Sequence, residues 1–298
     1  MPLRLSALLA LLLPLGAATQ PSDEAPLNAT EAIDAAADER DPILYVMEDE
    51  DSRVYLLGSI HLLDASAYPL PADVEAAYED ADALAFEIDL TDIASIQTAV
   101  LTRAQYTDGR TLADAMGEDF SKLEARVGPA AAQLNGFEPW AVQLTLTPMI
   151  VQGAGYNAEN GVDMHFLSRA QTDEKELLAL ETADSQMAIF DEMAETDQVA
   201  MLVELLDEWD ELPAQFESMV TAWETGDEEA LETLLNDVPE SVRPALLRDR
   251  NAAWVPQIEG YLAREGEDVL VVVGAGHLAG EDSVVAMLRE KGYTLTRQ

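Results

Sequence analysis

The sequence predicts an α/β protein with a central mixed, largely parallel sheet flanked by helices and interrupted by a large helical insertion. Three observations support this fold class. Short apolar segments typical of strands alternate with helical patterns in the first part of the chain. A long interval, about 184–265, then has helical periodicity almost throughout. Beyond residue 268 the alternation of strand and helix returns, which favours one discontinuous sheet.

The first forty residues are predicted to lie outside this fold. Residues 1–18 contain a short basic start, an apolar run and closing small residues, a pattern typical of a secretory signal peptide. Residues 19–40 are polar and alanine-rich and are predicted to form a flexible linker. Residues 41–298 would then form the folded domain. We therefore expect a secreted or periplasmic protein with no stable membrane anchor after signal cleavage.

The folded part is predicted to begin with a β-hairpin. Two apolar segments, 43–47 and 53–58, are separated by an acidic turn. A helix over 71–80 and a strand over 83–88 follow, and this order predicts a parallel pair with a right-handed crossover. The later predicted elements are helices over 92–171, a strand over 176–180, the helical insertion, a strand over 269–273, a helix over 282–291 and a strand over 293–296.

The charge balance is strongly acidic. Asp and Glu number 58 against 16 Lys and Arg, so the formal net charge is −42. Such a surface repels nucleic acids and anionic membranes, and we expect neither as a partner. Two interpretations stay open: a solvated acidic shell suited to a salty exterior, or a preference for cationic ligands or metal ions. The chain has no cysteine, which excludes disulfides.

Two glycine-histidine motifs follow predicted strands. They are "GSIH" at residues 58–61 and "GAGH" at residues 274–277. The carboxyl ends of parallel strands face a shared crevice, where ligands and catalytic groups gather. Glu87 and Glu181 close two other predicted strands. We therefore expect His61, Glu87, Glu181 and His277 to line one crevice.

These residue types suit a divalent metal ion. Two neutral imidazoles with a carboxylate are a plausible ligand set, so His61, His277 and Glu87 are the candidate metal ligands. Mn²⁺, Co²⁺ and Zn²⁺ all suit such a set. Each residue also has a structural interpretation. A histidine can serve as a hydrogen-bonded core residue, Glu87 as a solvated loop carboxylate, and Glu181 as part of a helix cap.

Other candidates carry weaker signals. Arg250 shares a helix face with Trp254 and could hold a carboxylate, stabilise an oxyanion, or form salt bridges with the abundant acids. His165 lies within a predicted helix and is expected to pack against the sheet. The segment from Gly274 to Ala279 fits a dinucleotide-binding pattern, but too few residues follow it to supply the acidic residue that this motif needs. No serine lies in a nucleophile elbow.

Several segments resemble one protein family. Residues 56–89 and 271–298 resemble the opening and closing blocks of the TraB/GumN family, whose animal relatives are the Tiki proteins. The segments "GVDMHFLSRA", "ALETADSQ" and "RDRNAAW" also match. The resemblance covers roughly residues 40–298, and the two histidine motifs in the correct order make it specific.

The resemblance implies a fold and an activity. The fold would be the α/β fold shared with hemin-binding ChaN-like proteins and erythromycin-esterase-like hydrolases. Tiki proteins are described as metal-dependent proteases that use two G-x-x-H motifs and an intervening glutamate, with Mn²⁺ or Co²⁺. His61, His277 and Glu87 match those residues, and Arg250 with Asn251 matches a late Arg-Asn pair. Tiki proteins are usually membrane-tethered, whereas we expect no tail anchor in this chain.

Three functional hypotheses follow. The first is a metal-dependent, peptidase-like hydrolase of peptide or small-molecule substrates, in which Glu181 or Glu87 takes the proton of metal-bound water. The second is a metal-independent, esterase-like hydrolase in which a histidine oriented by Glu87 is the general base and Arg250 assists. The third is a non-catalytic protein that binds haem or another ligand.

Overall fold

The computed structural model describes residues 40–236 and 241–298. The predicted signal peptide (1–18) and all of the predicted linker (19–40) except Arg40 fall outside these ranges. Within the described part of the chain, no helix is both long enough and apolar enough to cross a membrane.

One sheet forms the centre of the described structure, with the strand order β4-β3-β5-β2-β1-β6. Its strands are β1 (Leu44–Glu48), β2 (Arg53–Ser59), β3 (Ala83–Phe86), β4 (Glu176–Ala179), β5 (Val269–Gly274) and β6 (Thr296–Arg297). Strands β4, β3, β5 and β2 are parallel, whereas β1 is antiparallel to β2 and to β6. The predicted mixed, largely parallel sheet is therefore confirmed.

The predicted hairpin is present as β1 and β2, but the predicted direct pairing of β2 with β3 is wrong. These two strands run in the same direction, and β5 lies between them. Val271 of β5 is in register with Leu56 on one side and Ala85 on the other. Every residue of β5 is buried. A strand in which every residue is apolar and buried is covered on both faces of the sheet, as is typical of a central strand in a parallel sheet.

Helices cover both faces of the sheet and the edge at the carboxyl ends of its parallel strands. They are α1 (Ala72–Asp80), α2 (Ile93–Arg103), α3 (Leu112–Met116), α4 (Phe120–Val127), α5 (Ala131–Leu134), α6 (Pro139–Gln152), α7 (Val162–Thr172), α8 (Ala183–Asp191), α9 (Glu195–Asp207), α10 (Leu212–Glu224), α11 (Glu228–Asn236), α12 (Asp249–Leu262) and α13 (Val284–Glu290). The intervals predicted as helical are helical in most of their described residues. One turn of π-helix, Pro244–Arg248, leads into α12.

The last strand is shorter and later than predicted. Tyr293 belongs to the turn after α13, because its amide donates to the carbonyl of Leu288 and Gly292 adopts a positive φ. Such a bond satisfies a carbonyl at the end of a helix and delays the start of the strand. The strand is therefore confined to Thr296–Arg297.

Helices from the predicted insertion also cover the carboxyl end of the sheet. The indole N–H of Trp223, on α10, donates to the carbonyl of Gly58 at 2.8 Å. Trp223 and Trp254 are almost completely buried. A buried indole usually has a hydrogen-bond partner, and the partner of Trp223 is the glycine of the first histidine motif. The helices after β4 thus fix the loop that carries His61.

Candidate active site

The four predicted crevice residues all follow strands of the parallel part of the sheet. Glu87 comes directly after β3, His61 and Glu181 come two residues after β2 and β4, and His277 comes three residues after β5. His61, Glu87 and His277 are buried, and the side chain of Glu181 is 12% exposed. The two glycine-histidine motifs lie on neighbouring strands, because β2 pairs directly with β5.

Arg250 connects three of these residues. Its Nη2 lies 2.6 Å from Glu87 Oε2 and 2.6 Å from Glu181 Oε1, and its Nε lies 3.0 Å from the same Glu181 oxygen. Its Nη1 donates to His277 Nε2 at 3.0 Å. The structure therefore places Arg250 among the predicted crevice residues and shows the salt bridges that are one of its interpretations from the sequence. Its role towards a substrate stays a prediction.

The carboxylate of Glu87 is fully hydrogen-bonded. Its Oε1 accepts from the backbone N–H of Gly274 at 2.9 Å, and its Oε2 accepts from Gln186 Nε2 at 2.9 Å as well as from Arg250. Gln186, on α8, also donates to Glu181. A buried carboxylate requires such partners, and Glu87 is therefore a structural part of the crevice and not a solvated loop residue.

Glu181 also faces the crevice. The side-chain cap of α8 is Thr182, whose hydroxyl accepts from the amide of Ser185. Glu181 instead pairs with Arg250 and Gln186. Burial raises the pKa of Glu181, and the charge of Arg250 opposes that rise. Its carboxylate thus belongs to the same network as Glu87.

His277 is held as a neutral imidazole. Its Nδ1–H donates to the Asn251 amide oxygen at 2.6 Å, and the Asn251 amide nitrogen donates in turn to the carbonyl of Asp282. This leaves Nε2 as the acceptor that receives Arg250. The ring of Trp254 packs beside the imidazole. Burial, followed by the charge of Arg250, lowers the pKa of His277 well below 6.5.

His61 has a different environment. Its Nδ1 lies 2.6 Å from Asp163 Oδ2, and the other oxygen of Asp163 accepts from the hydroxyl of Ser59. Burial lowers the pKa of His61, but the charge and hydrogen bond of Asp163 outweigh it, so the pKa is raised overall. Its Nε2 is buried and has no hydrogen-bond partner among the described residues. One ring nitrogen is thus fixed and the other is unengaged.

Sequence reasoning missed two members of this site, Asp163 and Gln186. It assigned the orientation of a histidine to Glu87, whereas Asp163 orients His61 and Asn251 orients His277. Asp163 lies in the first turn of α7, two residues before His165. His165 is a packed helix residue, as expected, but it stacks on Tyr68, and burial lowers its pKa to about 4.

The predicted metal ligands His61, Glu87 and His277 do not fit a divalent ion in this arrangement. Over residues 40–236 and 241–298, no three His, Asp or Glu side chains are grouped so that they could hold a metal ion. The physical reason is Arg250, whose guanidinium bonds to Glu87 and to Nε2 of His277. An ion bound by those atoms would have to displace a group that already carries positive charge. The metal site therefore stays a prediction.

The glycine of the first motif allows the second motif to approach closely. A Cβ atom at Gly58 would lie 3.1 Å from both Cα and Cβ of Ala275. We expect Gly58→Ala to lower the free energy of unfolding by about 1–3 kcal/mol, because neither β2 nor the turn of Ala275 directly after β5 can move aside without disturbing the sheet. Urea denaturation measures this change.

A matched control for Gly58 is Gly136→Ala, where a new Cβ meets nothing within 4 Å. We expect this control to change the free energy of unfolding by less than about 0.5 kcal/mol. Equal stabilities for the two variants would show that the motifs are not in close contact.

Comparison with known proteins shows which family the sequence matches. The sequence model described as the TraB/PrgY/gumN family matches residues 43–297. The uncharacterized protein YbaP of Escherichia coli (strain K12) is 26% identical over 236 residues, which cover 79% of this chain and 87% of that protein. YbaP of Shigella flexneri has the same identity and coverage. No solved structure matches the chain.

Proposed function

The chain belongs to the TraB/PrgY/gumN family, and from this premise we propose that it is a hydrolase in which His61 is the general base for water. The substrate is a peptide or a small ester, and the predicted signal peptide would deliver the enzyme to the periplasm or the exterior. The reaction proceeds without a metal ion, because the guanidinium of Arg250 already occupies the space between Glu87 and His277.

The environment of His61 is the observation that supports this proposal most strongly. A general base needs a fixed ring orientation and a free nitrogen within reach of a water molecule. The 2.6 Å contact with Asp163 fixes the tautomer with the proton on Nδ1, and Nε2 is the nitrogen without a partner. A histidine oriented by a buried carboxylate in this way is the arrangement used in acyl-transfer enzymes.

The proposed reaction is the attack of water on a carbonyl group, followed by departure of the leaving group. Nε2 of His61 removes a proton from water, and the oxygen of that water forms a bond to the carbonyl carbon. The carbonyl oxygen becomes an oxyanion, and Arg250 donates to it in exchange for part of its contact with Glu181. The protonated His61 then gives its proton to the leaving nitrogen or oxygen as the bond to carbon breaks. His277 stays neutral and acts as a positioning residue for Arg250.

The decisive experiment compares hydrolysis before and after exhaustive chelation. Purified protein is assayed on a library of p-nitrophenyl esters and fluorogenic peptides. We expect turnover to survive chelation and to fall at least about 10²-fold in His61→Ala, because the general base is lost. His165→Ala is the matched control, since this third histidine packs against Tyr68 and should leave turnover unchanged.

Two results would contradict the proposal. Loss of turnover on chelation, with recovery on adding Mn²⁺, Co²⁺ or Zn²⁺, would support the metal-dependent hydrolase instead. Absence of hydrolysis across the library, together with a Soret band on titration with hemin, would instead favour a non-catalytic binding protein.

A further inference from the structure

A cavity of about 600 Å³ lies among the helices at the carboxyl ends of the strands. We propose that this cavity binds an uncharged apolar acyl group of the substrate, and that the enzyme therefore acts on esters or amides of apolar acids. The inference rests on the proposed hydrolase function and extends it to the substrate class. Cavities of 300–1,000 Å³ lined mainly by apolar side chains are typical of small-molecule sites.

The walls of the cavity are mostly apolar and come from separate parts of the chain. They include Leu62, Val100, Phe137, Trp140, Leu144 and Tyr156. Leu62, Trp140 and Tyr156 are buried and belong to the hydrophobic core. The floor of the cavity is therefore part of the folded core, and the cavity is a built feature of the fold and not a gap between surface loops.

The lining residues of the cavity do not include the proposed catalytic side chains themselves, but they connect to neighbours of those side chains on two sides. On one side, Leu62 directly follows His61, and the next residue, Leu63, pairs with Asn157 of the cavity wall. On the other side, Trp140 stacks on Phe190 of α8, the helix that also carries Gln186 beside Glu87. A group held in the cavity would therefore lie between the loop of His61 and the helix that supports Glu87.

The rim of the cavity carries one large exposed apolar side chain among polar ones such as Gln152 and Glu159. Met149 lines it and is 57% exposed. A large apolar side chain exposed at the mouth of a mostly apolar cavity favours a ligand-binding groove. The formal net charge of −42 disfavours anionic ligands, which is why the proposal specifies an uncharged group.

The first measurement is hydrolysis of p-nitrophenyl esters from acetate to octanoate. Each methylene placed in an apolar cavity raises kcat/KM by up to about fourfold, and we expect a steady rise along the series. A flat profile, or a fall with acyl length, would overturn the proposal even if the esters are hydrolysed. The proposed hydrolase function would survive that result.

A second measurement tests binding without turnover. Nile red, a neutral apolar dye, should bind with a stoichiometry of one per chain and be displaced by octanoate esters. Dye binding and displacement without any ester hydrolysis would support the cavity and contradict the hydrolase. Ester hydrolysis without dye binding or displacement would support the hydrolase and overturn the proposed acyl-binding cavity.

Thr145→Trp blocks the cavity from an exposed position on α6 and so puts little strain on folding. We expect it to weaken dye binding at least about tenfold and to reduce the ratio of octanoate to acetate turnover. The matched control is Thr98→Trp on α2, which is exposed and outside the cavity. Both threonine hydroxyls donate to the carbonyl four residues earlier. Equal effects of the two variants would overturn the proposal.

Discussion

Replacement of Arg250 by methionine is expected to lower the free energy of unfolding by about 3–5 kcal/mol at neutral pH. Arg250 is buried and pairs with Glu87 and Glu181 at 2.6 Å each. Removal of one partner of a buried ion pair leaves the remaining charge without compensation, and the measured cost is in this range. Two carboxylates lose their partner here, so the effect should lie among the largest for any single substitution in this chain. Urea denaturation measures it.

The pH dependence of the Arg250→Met effect has a definite sign. Burial already raises the pKa of Glu181, and the positive charge of Arg250 opposes that rise. Without Arg250 the folded-state pKa rises further above the unfolded value. A raised carboxyl pKa contributes stability that is present below the unfolded pKa, near 4.3, and is lost as the pH rises through the folded value. The variant should therefore be closest to wild type in stability at about pH 4 and furthest from it above pH 7.

Arg248→Met is the matched control for Arg250. Arg248 lies two residues earlier, is 53% exposed and pairs only with its exposed neighbour Asp249 among the ion pairs described. Exposed pairs of this kind contribute about 0–1 kcal/mol. An Arg250→Met variant as stable as this control at pH 7 would show that Glu87 and Glu181 do not depend on the guanidinium.

Replacement of Asp163 by asparagine is expected to lower kcat by up to about 10⁴-fold. The carboxylate of Asp163 accepts the Nδ1 proton of His61 and so leaves Nε2 free to act as the base. An amide at this position can donate to Nδ1 and so place the proton on Nε2, which inactivates the base. KM should change much less than kcat, because Asp163 orients the base and does not contact substrate.

The pH profile of the Asp163→Asn variant separates a positioning role from a structural one. Hydrolysis requires neutral His61 and so falls as the pH drops through the pKa of that residue. Burial lowers the pKa of His61, but the charge and hydrogen bond of Asp163 raise it above 6.5. Glu87 raises the same pKa by a smaller amount, and Arg250 lowers it. Loss of the Asp163 charge should therefore move the acidic limb of the profile to lower pH.

The control for Asp163 is Asp173→Asn, at the other end of α7, where the carboxylate accepts a hydrogen bond from the hydroxyl of Tyr78. This variant should keep both the wild-type kcat and the wild-type pH limb. An unshifted acidic limb in Asp163→Asn would argue that Asp163 only supports the fold.

Much of the fold could be predicted because apolar runs report burial directly. The run Val269–Gly274 has no polar residue, and a central parallel strand is the place where such a run is stable. The positions of His61, Glu87, Glu181 and His277 could be predicted because each of them follows a strand, and strand ends in a parallel sheet converge. The position of β5 between β2 and β3 could not be predicted. The pattern of apolar residues indicates that a strand is buried, but it does not indicate which strands lie beside it.

The roles of Asp163 and Gln186 could not be predicted for a different reason. In a chain with 58 acidic residues, one more aspartate near a helix start has no distinguishing pattern. What distinguishes Asp163 is its burial beside His61, which depends on how α7 packs against the end of β2. Likewise, the spacing of the two histidines predicted a metal site, but only the structure shows Arg250 among the candidate ligands.

The central position of β5 also affects the order in which the protein can fold. Strands β2 and β3 appear early during synthesis, yet each pairs in the sheet with β5, which is made only after the helices in between. The sheet therefore depends on contacts between residues far apart in sequence, and such contacts form slowly. Until β5 inserts, the apolar edges of β2 and β3 stay open to association with other chains. His277 can therefore join His61 only late in folding, after β5 has inserted between β2 and β3.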